Sequence, residues 1–233
     1  MIAWLDQSLR FPPLNTALRE PNGLLAAGGD LSRSRLLAAY HLGIFPWTMP
    51  GEPLLWWSPD PRMVLKPADL HVPVSLGKVL RNKPYRIAFD TQFEAVMRGC
   101  AAPRKDTDQT WISEEMIAAY VDLHTAGYAH SAECYIDNDL VGGLYGVALG
   151  NMFYGESMFA RRPDASKLAF VHLVHALKEQ GFGLIDCQMH TEHLARFGAA
   201  EVPRALFTAA LSQLVRQERQ PGLWHYNYQN PGN

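Results

Sequence analysis

The chain has 233 residues, 48% of them apolar and 19% charged, with a formal net charge of −2. That composition describes a globular protein with a sizeable core and excludes a disordered chain. A nearly neutral total provides no global field for a polyanion, so any nucleic-acid binding must come from a local patch.

Cys100, Cys134 and Cys187 are widely spaced, with no disulfide framework and no metal knuckle. The N-terminal stretch carries Asp6 early and has no long apolar run, so no secretory signal is expected. No segment reaches the roughly 18 apolar residues of a membrane span, and a cytoplasmic protein with no membrane partner is the expectation.

Residues 1–62 are rich in proline, glycine and tryptophan and read as a small N-terminal domain. Residues 23–29 (GLLAAGG) suggest a short strand or turn but lack the pattern of a phosphate loop. Asp30 or Ser32 can cap a helix carrying Leu36, Leu37 and Tyr40. Trp47, Trp56 and Trp57 lie among prolines, which suggests loops presenting rigid aromatic faces.

A second domain is expected over residues 63–233. Residues 62–86 carry Arg62, Lys66, Lys78, Arg81, Lys83 and Arg86 against Asp69 alone. This excess reads either as a solvated helix face or as a polyanion patch, with Lys78, Arg81, Lys83 and Arg86 as the candidate contacts. A strand at 85–89, a helix at 93–100 and a polar loop at 103–109 follow. Ser113 can cap a helix with Glu114 and Glu115 in its first turn and Met116, Tyr120 and Leu123 on one face.

Residues 131–136, 140–149 and 152–159 form an antiparallel meander around a turn at 137–139. Gly142, Gly143 and Gly146 in its middle strand suggest a bulge or a close approach. The chain then runs strand, helix, strand over 150–188. Phe170, Leu173, Val174 and Leu177 repeat at helical spacing, with Asp164 or Ser166 as cap and Gly181 as stop. In the strand at 184–188, Asp186 and Gln188 alternate onto one face, towards Glu156 of the neighbouring strand. Three polar groups framed by glycines and aromatics point to a site. Helices at 193–198 and 204–217 and a loop tail from 223 complete the chain.

His172 with His175, and His190 with His193, lack a third ligand, so no metal is expected. There is no GxSxG elbow and no nucleophile beside a base in sequence. Meander, helix, strand, helix is the order found in the second half of an acetyltransferase-like (GNAT) α+β fold, with a mixed, largely antiparallel sheet. The glycine-rich pyrophosphate loop of such enzymes is missing from 158–167 (MFARRPDASK), so no coenzyme A cofactor is expected.

The segments REPNGLLAAGGDLS (19–32), GIFPW (43–47), WWSPDPR (56–62), TWI (110–112), HSAE (130–133), LVGGLYG (140–146), GESMF (155–159), ASK (165–167), DCQ (186–188) and FGA (197–199) span nearly the whole chain. Together they resemble the leucyl/phenylalanyl-tRNA–protein transferase family. The resemblance implies a bacterial cytoplasmic enzyme that moves Leu or Phe, less readily Met, from aminoacyl-tRNA onto proteins beginning with Arg or Lys, marking them for proteolysis. It implies catalytic roles for Asp186, Gln188 and Glu156, and stacking of the terminal adenosine on Trp47 and Trp111, joined by Tyr120. It also implies a Leu/Phe pocket of Leu144, Phe153, Met158 and Ile185, with neither cofactor nor metal. Two other readings stay open: an N-acyltransferase using another acyl donor, and a non-catalytic tRNA-binding module.

Overall fold

The computed structural model describes residues 2–103 and 110–232, so the loop read at 103–109 lies, apart from Pro103, outside the described residues. The N-terminal part holds β1 (Ala3–Leu5), β2 (Leu24–Gly28), α1 (Arg33–His41), β3 (Phe45–Pro46) and β4 (Leu55–Trp57). Its four strands form a small sheet in the order β1-β2-β4-β3. Ser32 caps α1 by accepting the Arg35 amide.

Trp56 and Trp57, expected on loops, are instead buried in strand β4. Trp56 donates its indole N–H to the Gly28 carbonyl at 2.9 Å. Trp57 donates to the Trp47 carbonyl at 2.6 Å. Flanking prolines did not prevent a strand here because both indoles find an apolar layer and a carbonyl acceptor.

The second sheet collects β5 (Arg62–Leu65), β6 (Tyr85–Phe89), β7 (Ala129–Ile136), β8 (Asp139–Leu149), β9 (Met152–Ala160), β10 (Leu184–Gln188), β11 (Ala200–Val202) and β12 (Asn227–Asn230). Their order is β11-β5-β10-β9-β8-β7-β6-β12. Only β9 and β10 run parallel within it. The fold is therefore α+β with a mixed, largely antiparallel sheet, as the sequence suggested. Strand β12 falls in the tail read as loop. Its sequence NYQN has no apolar alternation; it is held by pairing with β6 and by Asn230, whose amide donates to the Leu80 and Lys83 carbonyls at 2.8 Å each.

One apolar cluster joins the small sheet to one face of the large one. It runs from Leu36, Ile44 and Trp56 to α3 (Phe93–Ala101) and α4 (Glu114–Thr125), and on to Phe207 and Leu211 of α7 (Arg204–Leu214). The other cluster packs α2 (Val74–Asn82) and α5 (Ala165–Glu179) against the opposite face. In α5, Phe170, Leu173, Val174 and Leu177 are all buried, as their spacing predicts. Neither expected cap bond forms at its start. Asp164 sits at the N-cap position, but its carboxylate takes Lys167 Nζ at 2.7 Å, and Ser166 lies inside the helix. Helix α5 reaches the sheet closely because Gly142 has no side chain: a Cβ there would lie 2.6 Å from that of Ala165. The short helix α6 (Glu192–Ala195) follows β10 and is briefer than the sequence suggested.

Candidate active site

Strands β9 and β10 pair only from Leu184↔Met152 to Asp186↔Tyr154. Beyond that point β9 stays with β8 and β10 stays with β5, so the two strands part and a wedge opens between them. Each carries a bulge where it opens. Tyr145 pairs with Ser157 and Gly146 with Gly155, leaving Glu156 as the extra residue of β9. Asp186 pairs with Val64 and Gln188 with Met63, leaving Cys187 as the extra residue of β10. A bulge re-aims side chains by interrupting strict alternation. Simple alternation therefore does not describe this strand: Asp186 and Gln188 make separate contacts.

The Asp186 carboxylate is fully buried and meets the Arg62 guanidinium in a fork, with Nε donating to Oδ1 at 2.8 Å and Nη2 to Oδ2 at 2.6 Å. Oδ1 also accepts the Gln188 backbone N–H at 2.8 Å. Gln188 itself has φ +62°, a left-handed conformation that costs a non-glycine residue about 1–2 kcal/mol. Its side-chain Nε2 donates to Glu156 Oε1 at 3.1 Å. Tyr40 OH donates to the same oxygen at 2.8 Å, and Tyr120 OH donates to Oε2 at 3.3 Å. The two phenol oxygens also lie within hydrogen-bond reach of each other; with one proton each, they fill two of these three contacts at a time.

Burial pushes the Glu156 carboxyl up to about 7, helped by the nearby Asp186 charge and opposed by its three donors. Burial and the Glu156 charge hold Tyr40 and Tyr120 far above the ordinary phenol range, so both stay protonated donors. Burial, with Asp186 alongside, likewise raises the Cys187 thiol; it is not a thiolate nucleophile.

The wedge continues into a cavity of about 530 Å³. Of the residues named from sequence, Trp47, Trp111, Leu144, Phe153, Glu156, Met158, Ile185, Asp186 and Gln188 line it. Leu144 faces Met158 across the β8–β9 pair. Tyr120 is not on the cavity wall. It is fully buried and offers its hydroxyl to Glu156, so it presents no face to a nucleoside. Lys78, Arg81 and Lys83 are exposed at and just after α2, and Arg86 lies on β6 over the Tyr135 ring at 3.8 Å. None of these four borders the cavity. Arg62, counted with that basic run, is buried and does not belong to it.

Sequence reasoning also passed over Phe45, Tyr145, Phe170, Thr191, His193 and Leu194 as cavity residues. Phe45 sits within the GIFPW segment and Phe170 on the apolar face of α5, so each carried a signal that packing alone seemed to explain. Tyr40 had no signal beyond its place in an apolar helix. Among the described residues no cluster of His, Cys, Asp and Glu is suited to hold a metal ion.

Residues 64–212 match the model of the leucyl/phenylalanyl-tRNA protein transferase family, and residues 29–60 match the model of that family's N-terminal domain. The leucyl/phenylalanyl-tRNA–protein transferase of Chromobacterium violaceum is 58% identical, over 99% of both chains. Its counterpart in Nitrosomonas europaea is 56% identical, over 100% of this chain and 98% of the other. The solved structure of a GCN5-related N-acetyltransferase from Kribbella flavida shares 14% identity at a TM-score of 0.39, over 84% of this chain and 63% of that one. With a family model matched over more than half of its residues and relatives this close along its whole length, the chain belongs to the leucyl/phenylalanyl-tRNA–protein transferase family.

Proposed function

We propose that the protein transfers Leu or Phe, and less readily Met, from aminoacyl-tRNA to the α-amine of proteins whose first residue is Arg or Lys. The added residue then serves as a degradation signal, and the setting is the cytoplasm. No helix among the described residues is long and apolar enough to cross a membrane. The observation that carries this reading is a mostly apolar cavity of about 530 Å³, roomy enough for an aminoacyl group with its nucleoside, whose lining includes Gln188 and Glu156 in the wedge where β9 and β10 part.

Leu144, Phe153, Met158 and Ile185 form the apolar wall and take the donor side chain. Trp47 and Trp111 offer ring faces at the same cavity for the terminal adenosine. The donor is an ester and already activated. The acceptor α-amine, with a reference pKa of about 7.7–8.0, is partly neutral near pH 7. The amine nitrogen attacks the ester carbonyl, the carbon–oxygen bond to the ribose breaks, and the departing ribose oxygen takes the proton. Among the described residues the amide oxygen of Gln188 receives no donor, so it is free to accept an N–H of the incoming amine and orient it. Glu156 holds Gln188 in place and favours the basic acceptor residue through its charge. Asp186, already neutralised by Arg62, acts on orientation and not as the proton acceptor.

The test uses tRNA charged separately with Leu, Phe, Ile and Val, an Arg-starting peptide, and acetyl-CoA as the competing acyl donor. Leu and Phe should appear on the peptide, and Ile and Val should lag because branching at Cβ widens the side chain at the cavity mouth. Acetylation from acetyl-CoA, or tRNA binding with no peptide product, would overturn the reading.

A further inference from the structure

We infer that Arg62 is a positioning residue of the transfer reaction, acting through Asp186 to hold Gln188 in its left-handed conformation. The inference rests on the functional reading above for what Gln188 does, and on geometry for how Arg62 acts. By sequence Arg62 belongs to a basic run facing a polyanion; in the fold it is fully buried. The Phe45 ring of β3 lies 4.8 Å from its guanidinium carbon and the Phe207 ring of α7 lies 4.7 Å from it. The guanidinium is thus held by aromatic rings from the N-terminal part and from α7, while its fork grips the catalytic strand.

Asp186 Oδ1 is the shared atom. It takes Arg62 Nε and the Gln188 N–H, both at 2.8 Å. Gln188 sits just past the bulge at Cys187, in a conformation a glutamine adopts rarely without support from its surroundings. That conformation is what lets its side chain reach Glu156 across the wedge. Remove the fork and Asp186 becomes a buried carboxylate without its cation, and the side chain turns away from its place. The Gln188 N–H then loses its acceptor, the turn relaxes, and the reactive amide moves off Glu156. Lysine cannot replace arginine here, because a single ammonium does not present two parallel N–H groups to one carboxylate.

The experiment compares the wild-type protein with Arg62→Lys and with the apolar pair Arg62→Met/Asp186→Leu. It measures kcat and KM for leucyl-tRNA, Tm, and amide hydrogen exchange at Gln188. Arg62→Lys should lower kcat by about 10–100-fold, the scale of a slightly misplaced reacting group. KM should stay within about twofold. The Gln188 amide should exchange faster while amides of β8 keep their protection. The apolar pair removes the buried charges together and should recover most of the Tm, yet kcat should stay low. Wild-type kcat and Gln188 protection in Arg62→Lys would overturn the inference, as would a double variant whose kcat returns with its Tm. If the wild-type protein makes no product at all, the functional reading fails, and the amide exchange alone still decides whether Arg62 positions Gln188.

Discussion

Tyr40 in α1 donates its hydroxyl to Glu156 in β9 at 2.8 Å, across 116 positions of sequence. This bond ties the N-terminal part of the chain to the bulge that opens the wedge. It also lowers the carboxyl pKa that burial raises. Tyr40→Phe should therefore raise the Glu156 pKa above its present value of about 7 and cost about 1–3 kcal/mol of stability. A titration of Glu156 by carboxyl-sensitive NMR or infrared difference spectra checks the direction; a pKa that falls or stays put contradicts it.

The raised carboxyl pKa also makes a statement about stability. Glu156 ionises near 4.5 when unfolded and near 7 when folded, so between those values the native state holds the extra proton. Its contribution is full below pH 4.5 and is lost as pH rises through 7, a span on the order of 3 kcal/mol. Glu133, also pushed up to about 7 by burial, adds a trend of the same sign. Glu156→Gln isolates the first group, because Glu133 is common to both proteins. The Tm advantage of wild type over the variant should shrink between about pH 5 and 8; a difference constant with pH contradicts the assignment.

Lys78, Arg81 and Lys83 are exposed and, with Lys66 and Arg86, carry the positive charge that remains once Arg62 is seen to be buried. If they meet tRNA phosphates, replacing all three with Gln releases fewer counterions. The slope of log K against log salt should flatten by about 2–3. Weaker tRNA binding with an unchanged slope would place the phosphate contacts elsewhere.

Leu144 is buried and faces Met158 across the strands that form the cavity wall. Enlarging it narrows the space for a ring before it affects the thinner leucine chain. Leu144→Trp should shift the Leu:Phe ratio towards Leu by about 10-fold or more, within the 1–3 kcal/mol that an apolar pocket can discriminate. Competition between the two charged tRNAs in one reaction reads this directly, and an unchanged ratio removes Leu144 from the pocket.

Periodicity and turn residues made much of this architecture legible. The apolar spacing of α5 and the Ser32 and Ser113 caps all appear where local pattern placed them. The site residues on the wedge were legible because they lie on adjoining strands close in sequence. Long-range partners were not. The charge of Arg62 reads as part of a basic run because Asp186 lies 124 positions away, and nothing local marks the pair. The contacts of Tyr120 are hidden for the same reason: the sequence shows it on one helix face with Met116 and Leu123, while its partners Tyr40 and Glu156 come from other elements. The bulges at Glu156 and Cys187 break the alternation on which the strand argument rested, so the nearness of Glu156, Asp186 and Gln188 was legible while the separate contacts of Asp186 and Gln188 were not. Strand β12 was missed because its residues carry no alternating pattern; distant partners hold it, through pairing with β6 and the Asn230 hydrogen bonds.

In the proposed reaction the peptide bond forms in the wedge between β9 and β10, with the amide oxygen of Gln188 orienting the amine. A single-turnover reaction of leucyl-tRNA with an Arg-starting peptide, comparing wild type with Gln188→Ala, tests it most directly. Both proteins should bind the charged tRNA with similar affinity, since Gln188 lies apart from the exposed basic run and the apolar side chains of the cavity wall are unchanged. Wild type should convert the bound donor to leucylated peptide, and the variant should do so at least about 100-fold more slowly, the loss expected when a reacting amine is no longer oriented. Equal single-turnover rates in the two proteins would contradict the account.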